Sequence, residues 1–392
     1  MKTNRSIRLN CAALSLLLCS CVLLGGCWDS KEIQFNTYVS SYGIDYFDGQ
    51  YHTFAQVLDF TSIASTESSG TNEPSPVWVG KGQGSTIASA FSTLYRTSQQ
   101  NISWGHITSL IISERAMKAK QKEIFDSLNR FRELRYNIMI YGTNEPIENL
   151  LSATPFFRLS PLASILNNPE ENYKQNSVIP PQHLFRYIAE YNEISMSSYL
   201  PSLSLNHSQW EEAKRPHSLL EINGAYFETG GNLKGFISWA DLQGFQWLNK
   251  KTNTTYLTLG SPEPYSSIIL RRPQFTIKPI VEGDKARFRI KLTIKATLLE
   301  MLKEQSEAQI ERDAAEAIKQ QIMTLFKKGV QKEIDIYLIG DTLFRSSPHV
   351  WDKLTNHGTR FLLDEHSIEQ LDVTVKLVNT GKYKLYEAGR QA

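Results

Sequence analysis

The chain has 392 residues, a formal net charge of +2 and four cysteines, with 41% hydrophobic and 21% charged residues. This length excludes one small domain and favours two or three, and the charge content argues against a disordered chain. Beyond the first thirty residues no apolar run is long enough for a polytopic membrane protein. All four cysteines lie within the first 27 residues, which excludes a disulfide scaffold and a cysteine-ligand site in the body of the chain.

The first 26 residues are predicted to be a secretory signal peptide. Basic residues in the first eight positions precede an apolar stretch over 11–24, which is too short to span a bilayer core. The stretch ends in Leu-Gly-Gly-Cys at 24–27, a pattern similar to a bacterial lipobox. Cys27 is therefore the predicted mature N-terminus and lipid-attachment site, an S-diacylglycerol cysteine open to N-acylation, for example by palmitate; two acyl chains suffice for stable anchoring. The alternative is an ordinary signal peptide with an incidental cysteine.

Processing at this site changes the charge of the chain. Cleavage before Cys27 removes three of the 42 basic residues and none of the 40 acidic ones, which leaves a net charge of −1. A nearly neutral chain has no global attraction to nucleic acid or to anionic lipid. Nucleic acid is therefore not an expected partner.

The body of the chain begins with a predicted β-hairpin. Its strands are expected over 39–46 and 51–59, with the turn at Asp48 and Gly49. The next stretch, 61–76, is rich in Ser, Thr, Gly and Pro and is predicted to be a surface loop, because it cannot supply a packed face.

A glycine-rich stretch over 80–84 is predicted to be a structural turn. Ser85 or Thr86 is expected to cap the helix that follows. A phosphate-binding loop does not fit, because that motif needs a Lys directly after its last glycine and none follows Gly84.

The next elements alternate as in an α/β layer. Buried strands are predicted over 107–113 and 137–142, with an amphipathic helix over 120–133 between them and a further helix over 183–194. His106 precedes the first of these strands and is expected to be a local hydrogen-bonding group rather than a catalytic residue. None of the eight histidines has metal-ligand spacing, so neither a metal nor another cofactor is predicted.

The middle of the chain is predicted to contain long connections and a small β-rich module. The stretches 154–182 and 197–216 are expected to be largely connections, with a domain boundary near the end of the second. Two short β-like runs, 225–227 and 236–239, flank a glycine pair that favours a turn.

The C-terminal region contains the clearest hairpin, with strands over 274–281 and 285–297. In its second strand Arg287, Arg289 and Lys291 alternate with apolar residues, so one face is basic. This face is expected to be the solvated side of the sheet; the alternative is contact with anionic headgroups or an acidic partner.

A long helix over 304–332 follows the hairpin and carries a single-sided apolar stripe, which favours packing on a sheet. A shorter helix over 350–362 and a strand over 371–378 end the prediction. The expected fold class is α+β and multidomain, with mixed and antiparallel sheets packed with helices. The predicted division is a signal peptide over 1–26, an N-terminal α/β domain over 27–216, a small middle module over 217–262 and a C-terminal α+β domain over 263–392.

Several segments together resemble one family, the Ger(x)C lipoproteins, which are the C subunits of spore nutrient germinant receptors. The most specific match is the lipobox followed by Trp28 and Asp29. Ile339 departs from the family pattern, in which Phe or a similar residue is expected, and 356–361 lacks a tryptophan. The other matching segments are 43–45, 84–91, Gly105 with His106, 110–113, 224–227, 233–235, 335–340, Pro348, Trp351, and Thr380 with Gly381.

The resemblance implies a noncatalytic subunit that acts in nutrient-triggered spore germination. It implies a family-specific topology, lipid anchoring through Cys27 on the outer face of the spore inner membrane, and a complex with two integral membrane partners, the A-type and B-type subunits. It implies no catalytic residues and no cofactor.

Two other functions stay open on the sequence alone. A substrate-binding lipoprotein of a transporter would share the anchor but should have a cleft between two similar lobes, and no repeated lobe is evident in the sequence. An envelope hydrolase is less favoured, because the sequence contains no GxSxG motif, no metal-ligand cluster and no cysteine nucleophile in the body.

Overall fold

The computed structural model describes residues 14–15, 36–58, 77–260 and 262–379. Cys27 with the rest of the predicted lipobox, nearly all of the predicted signal peptide, the predicted loop over 61–76, and Thr380 and Gly381 lie outside the described residues.

Three sheets contain the strands of the described residues. In chain order the strands are β1 Asn36–Phe47, β2 Gln50–Leu58, β3 Val77–Gly84, β4 Asn101–Ser103, β5 Ser109–Ser113, β6 Met139–Thr143, β7 Ser197–Asn206, β8 Glu211–Glu212, β9 Arg215–Pro216, β10 Leu219–Thr229, β11 Asn232–Ser238, β12 Thr254–Leu259, β13 Ser266–Glu282, β14 Lys285–Met301 and β15 Ile368–Asn379.

Eight α-helices lie between these strands in the described ranges. They are α1 Ile87–Leu94, α2 Glu114–Arg130, α3 Ile147–Leu151, α4 Glu170–Gln175, α5 Leu184–Asn192, α6 Glu307–Gln331, α7 Ile339–Ser346 and α8 Pro348–Thr355. Short 3₁₀ helices cover Phe156–Arg158, Pro161–Ala163 and Asp241–Leu248. Within these ranges, no helix is both long and apolar enough to cross a bilayer.

The large sheet has nine strands in the order β11-β10-β7-β6-β5-β1-β2-β3, with β4 paired to β1. Its centre is parallel, because β1, β5, β6 and β7 run in the same direction, and both ends are antiparallel hairpins. The predicted first hairpin is confirmed, with Asp48 at φ 52° and Gly49 at φ 73° in its turn. These positive φ values are what a two-residue hairpin turn needs.

Helices cover both faces of this sheet. Apolar side chains of α1, α2 and α5 form one core with alternate residues of the strands, and α3 packs on the opposite face with Leu203 and Leu220. The mixed pattern of parallel strands and two helical layers explains why β5 and β6 are buried along their whole length.

The small sheet has the order β12-β13-β14-β15, and its last pair is parallel. The predicted long helix corresponds to α6, whose apolar stripe packs on one face of this sheet. Ser306 caps this helix, since its side chain accepts a hydrogen bond from the Gln309 N–H at 3.2 Å. The α+β fold class with mixed and antiparallel sheets is confirmed.

The glycines at 80, 82 and 84 lie within β3, so the prediction of a turn there is wrong. They are needed because α1 packs directly on the strand: a Cβ on Gly82 would lie 2.1 Å from the carbonyl oxygen of Ala90. The predicted helix cap is confirmed at Thr86, which forms a reciprocal capping pair with Ser89.

The prediction of a loop-like connection over 197–216 is wrong as well. Residues 197–206 form β7, and Ser202 and Ser204 on it are buried. The many serines suggested a loop, but the strand is held by ten residue pairs with β10. Tertiary pairing therefore overrides the local composition.

The strands of the predicted middle module, 217–262, are shared between the two larger sheets. β10 and β11 form the predicted hairpin and extend the large sheet through β7, whereas β12 is the edge strand of the small sheet. This segment does not form a sheet of its own in the described residues. The positions of the domain boundaries stay a prediction.

Candidate functional site

A polar crevice lies at the carboxyl ends of the parallel strands β1, β5 and β6. From β5 the chain enters α2 on one face of the sheet, and from β6 it enters α3 on the other face. Two connections that leave neighbouring parallel strands toward opposite faces open a crevice between them, and this is where open α/β sheets bind ligands. The crevice has a volume of about 340 Å³ and is lined by Asp45, Ser113, Glu114, Arg115, Thr143, Asn144, Glu145 and Pro146.

Asp45 is the buried centre of this site. Its carboxylate accepts two hydrogen bonds from Arg115, at 2.6 Å from Nε and 2.5 Å from the terminal nitrogen. It also accepts hydrogen bonds from the Ser113 hydroxyl and from the Tyr46 N–H, the latter at 2.7 Å. The guanidinium of Arg115 lies 4.0 Å from the centre of the Phe47 ring, which adds a cation–π contact.

These contacts decide the charge of Asp45. Burial raises the pKa of this carboxyl, but the hydrogen bonds from Arg115 and Ser113 outweigh burial and hold the pKa below its ordinary value. Asp45 and Arg115 therefore form an ion pair on one wall of the crevice, and Asp45 is not poised to donate a proton.

The second wall comes from the turn between β6 and α3. The Thr143 hydroxyl donates to the carbonyl of Leu203 at 2.8 Å, and the Glu145 carboxylate accepts the N–H of Leu205 at 3.1 Å. These two contacts fasten the turn to β7. On the opposite wall, which Asp45 and Arg115 form, Glu114 pairs with Lys118 at 2.5 Å.

The lining of the crevice suits a small, polar molecule. Three acids, Asp45, Glu114 and Glu145, line the crevice with one cation, Arg115. This cation already forms two hydrogen bonds with Asp45. The volume falls in the range of ligand clefts, which begin at roughly 300 Å³. The arrangement can hold hydrogen-bond donors or a positive group. The Ser113 hydroxyl donates to Asp45, but Arg115 already binds this carboxylate and its pKa is lowered, which makes it a poor base for activating a serine. No group of three His, Cys, Asp or Glu in the described residues could hold a metal ion.

A second buried polar cluster connects β7 to the helices of the C-terminal region. The Asp335 carboxylate accepts the N–H groups of Ile339 at 2.9 Å and Gly340 at 2.6 Å, at the start of α7. The N–H of Asp335 donates to Ser197 Oγ on β7 at 3.0 Å. Burial raises the pKa of Asp335 to about 7, although the backbone N–H donors lower it.

Two family models match the chain in succession. Residues 29–205 match the model described as spore germination protein N-terminal domain, and residues 222–381 match the model described as spore germination B3/GerAC like, C-terminal. Together they cover most of the chain. The chain belongs to the GerAC-like, or Ger(x)C, family of spore germination proteins.

Curated relatives and a solved structure agree with this assignment to the Ger(x)C family. Spore germination protein KC of Bacillus subtilis (strain 168) is 23% identical over 92% of this chain and 93% of its own length. Spore germination protein GerQC of Bacillus cereus is 24% identical over 71% of this chain and 80% of its own length. The crystal structure of the GerBC protein superposes with a TM-score of 0.55 at 14% identity, over 90% of this chain and all of that one, and shows the shared fold.

The structure brings two of the Ger(x)C-like segments together at the crevice. Segment 43–45 lies near the carboxyl end of β1, and segment 110–113 ends the adjacent β5 at Ser113, whose hydroxyl donates to Asp45. Segment 335–340 forms the Asp335 cluster. The close approach of α3 to β1 explains why residue 43 is a glycine, because a Cβ there would lie 2.4 Å from a methyl carbon of Ile147 on α3.

The other residues singled out in the sequence lie away from the crevice or outside the described residues. Cys27 lies outside them, so its lipid attachment stays a prediction. His106 precedes β5, at the opposite end of that strand from the crevice, and its ring packs edge-on against Tyr38 with centroids 4.9 Å apart. Arg287 and Arg289 are ion-paired, to Asp364 at 3.0 Å and to Glu369 at 2.9 Å.

Residue patterns alone did not identify the crevice. Arg115, Thr143 and Glu145 lie at or beside the junctions between a strand and the helix after it, and they have no motif spacing in the sequence. The usable signal was the position of polar residues directly after two buried runs, which places them at the same edge of a parallel sheet.

Proposed function

We propose that this chain is the noncatalytic C subunit of a spore germinant receptor, acting in nutrient-triggered germination. The match of both family models over 29–205 and 222–381 carries this proposal. The subunit is held through Cys27 on the outer face of the spore inner membrane, where it acts with integral membrane A-type and B-type subunits.

The lipid anchor is supported by the sequence of the first 27 residues. A basic start, a short apolar stretch and Leu-Gly-Gly-Cys stand in the order that lipoprotein processing requires. Two acyl chains would hold a chain whose own charge gives it no general attraction to the membrane.

A transporter substrate-binding lipoprotein is the second candidate, and the geometry favours it less. Such a protein should bind its ligand between two similar lobes, whereas the crevice lies within one sheet, between connections of adjacent strands. A hydrolase is not favoured either, because Asp45, which accepts a hydrogen bond from the Ser113 hydroxyl, is bound by Arg115 and is therefore a poor base.

The proposal is tested in a strain that retains only the operon of this gene among its germinant-receptor operons. Deleting the gene there is expected to abolish germination with the nutrient that this operon serves, and a wild-type copy is expected to restore it. A Cys27→Ala copy is expected not to restore germination, because the protein is released or retained as an uncleaved precursor.

Germination is measured by loss of optical density, and membrane association by fractionation of spore extracts. Ser92→Ala, on the exposed side of α1, is the matched control and should behave as the wild type. Normal germination after deletion would overturn the receptor role. A correctly processed, membrane-bound and active Cys27→Ala protein would overturn the anchor alone.

A further inference from the structure

The small sheet has one covered and one open face. α6 packs on the covered face, where alternate residues of β12 to β15 join the core. On the open face the alternating residues point away from that core, and Tyr256 and Val378 are 51% and 59% exposed. The register of the strands places open-face residues in rows that cross the sheet.

One of these rows consists of three cations. Arg271 on β13 is paired in register with Lys295 on β14, which is in turn paired with Lys376 on β15. All three side chains are exposed. Adjacent strands are about 4.8 Å apart, so the backbone positions of these three cations lie within roughly 10 Å of one another. We call these three residues the cation row.

No acid of the described residues neutralises the cation row. None of its side chains forms a hydrogen bond or an ion pair with another described residue, whereas Arg287 and Arg289 pair with acids. Lys291, another cation of the open face, has an acid directly opposite it in register, Asp372. Unpaired positive charge is therefore concentrated at one place on the open face, and like charges directly opposite each other on neighbouring strands destabilise a sheet. A bound anion removes this cost.

An apolar row lies beside the cation row on the same face. Tyr256 on β12 is paired in register with Ile269 on β13, which is paired with Thr297 on β14. On β15 the register shifts, so that Asn379 lies opposite Thr297 and the exposed Val378 lies beside it. We call Tyr256, Ile269, Thr297 and Val378 the apolar row.

We propose that the open face of the small sheet docks on the surface of an anionic phospholipid bilayer. The cation row would lie against headgroup phosphates, and the apolar row would enter the interface beside it, where tyrosine and aliphatic side chains are favoured. An acidic protein would also satisfy the cations, but a chain held through Cys27 already lies beside a bilayer surface, which favours lipid as the occupant. The proposal rests on the membrane location proposed above.

The test uses the full, lipidated chain in vesicles of phosphatidylcholine, with or without phosphatidylglycerol. The chain has no cysteine after Cys27, so Thr374→Cys, an exposed open-face position, can carry a single environment-sensitive dye. We expect a blue shift of the dye in anionic vesicles only, reversed by salt. The same dye at Ser92→Cys on α1 is expected not to respond.

The triple variant Arg271→Glu, Lys295→Glu, Lys376→Glu is expected to lose the response. Each cation near an anionic surface favours association by about fivefold, so the equilibrium constant for docking should fall by roughly a hundredfold or more. The matched control reverses three exposed cations elsewhere, Lys122, Arg132 and Arg135, with the same change of net charge, and should respond as the wild type.

Because Cys27 is unchanged in all variants, co-flotation reports the anchor and the dye reports the open face, so their failures are distinguishable. An equal dye response in neutral and anionic vesicles would overturn the proposal, as would an unchanged response of the triple variant. A response that appears only when the membrane subunits are added, whatever the lipid charge, would show an acidic protein partner and overturn lipid docking.

Discussion

At the scale of single residues, two buried carboxyl groups of the large sheet have pKa values that are shifted in opposite directions. Asp45 keeps its charge because Arg115 supplies a bidentate counter-ion. Glu228 on β10 is 1% exposed and has no cation beside it among the described residues: one oxygen accepts hydrogen bonds from the Tyr187 and Ser198 hydroxyls, and the other has no partner there. Burial raises the pKa of Glu228 to about 7, although these hydrogen bonds lower it.

This raised pKa predicts a pH-dependent stability. The folded state holds the Glu228 proton more tightly than the unfolded state, whose pKa is near 4.5. The resulting stabilisation is present below about pH 4.5 and is lost as pH rises through 7, a change of roughly 3 kcal/mol. We expect Glu228→Gln to lessen the fall in the free energy of unfolding between pH 5 and pH 8, measured by denaturant titration.

The variant should not remove the whole pH dependence, because burial also raises the pKa of Asp335 to about 7. Glu300→Gln, at an exposed position on β14, is the control and should leave the pH dependence as in the wild type. A Glu228→Gln protein with the full wild-type fall would show that Glu228 is ionised throughout this range.

At the scale of elements, β6 and β7 are joined differently from the other neighbours in the large sheet. Their pairing is limited to Gly142 and Ser202, and residues 182 and 183 pair with β6 further down. The Tyr226 ring of β10 fills the space over Gly142, where a Cβ would lie 2.5 Å from Cδ2 of the ring. Close packing of the Tyr226 ring on the backbone at Gly142, rather than a continuous ladder of hydrogen bonds between β6 and β7, therefore holds this part of the sheet.

Gly142→Ala is expected to destabilise the protein by about 1–3 kcal/mol, because the ring must move from a packed position. The lower melting temperature is measured by circular dichroism. Gly105→Ala is the matched control, since no atom lies within 4 Å of its added Cβ, and it should change stability by less than about 0.5 kcal/mol. Equal melting temperatures for the two variants would contradict close packing at Gly142.

Elements with local signals could be predicted from the sequence, and elements held by distant partners could not. The hairpins with turns at 48–49, 230–231 and 283–284 contain their own turn residues. The sequence therefore predicts a strand on each side of these turns, namely β1, β2, β10, β11, β13 and β14. β7 lacks such a signal, because its serines suit a loop and pairing with β10, together with one residue pair with β6, makes it a strand. The predicted helix over 350–362 ends early at Thr355, since Asn356 adopts φ 49°.

The same distinction holds for the crevice. Asp45 is 68 positions from Ser113 and 70 from Arg115, so no spacing in the sequence links them. Parallel pairing of β1 with β5 brings them together, and neither strand carries a local signal for its partner. The resemblance to the Ger(x)C family marked 43–45 and 110–113 separately, but only the fold shows that they meet.

At the scale of the whole molecule, one core joins the two larger sheets. Phe227 of β10 and Ile237 of β11 belong to the same cluster of buried residues as Phe288 of β14 and Ile318 of α6. The Asp335 cluster adds polar contacts between β7 and α7. An apolar interface of this kind makes independent unfolding of the two sheets unfavourable.

We therefore expect the described body of the protein to unfold in one cooperative transition. Ile318→Ala removes a fully buried side chain from the shared core and should lower stability by about 2–5 kcal/mol. Ile112→Ala, in the separate core under α2, should shift the same single transition in calorimetry, because both sheets unfold together. Two resolved transitions, with only one of them shifted by Ile318→Ala, would show instead that the sheets are independent folding units despite their common core.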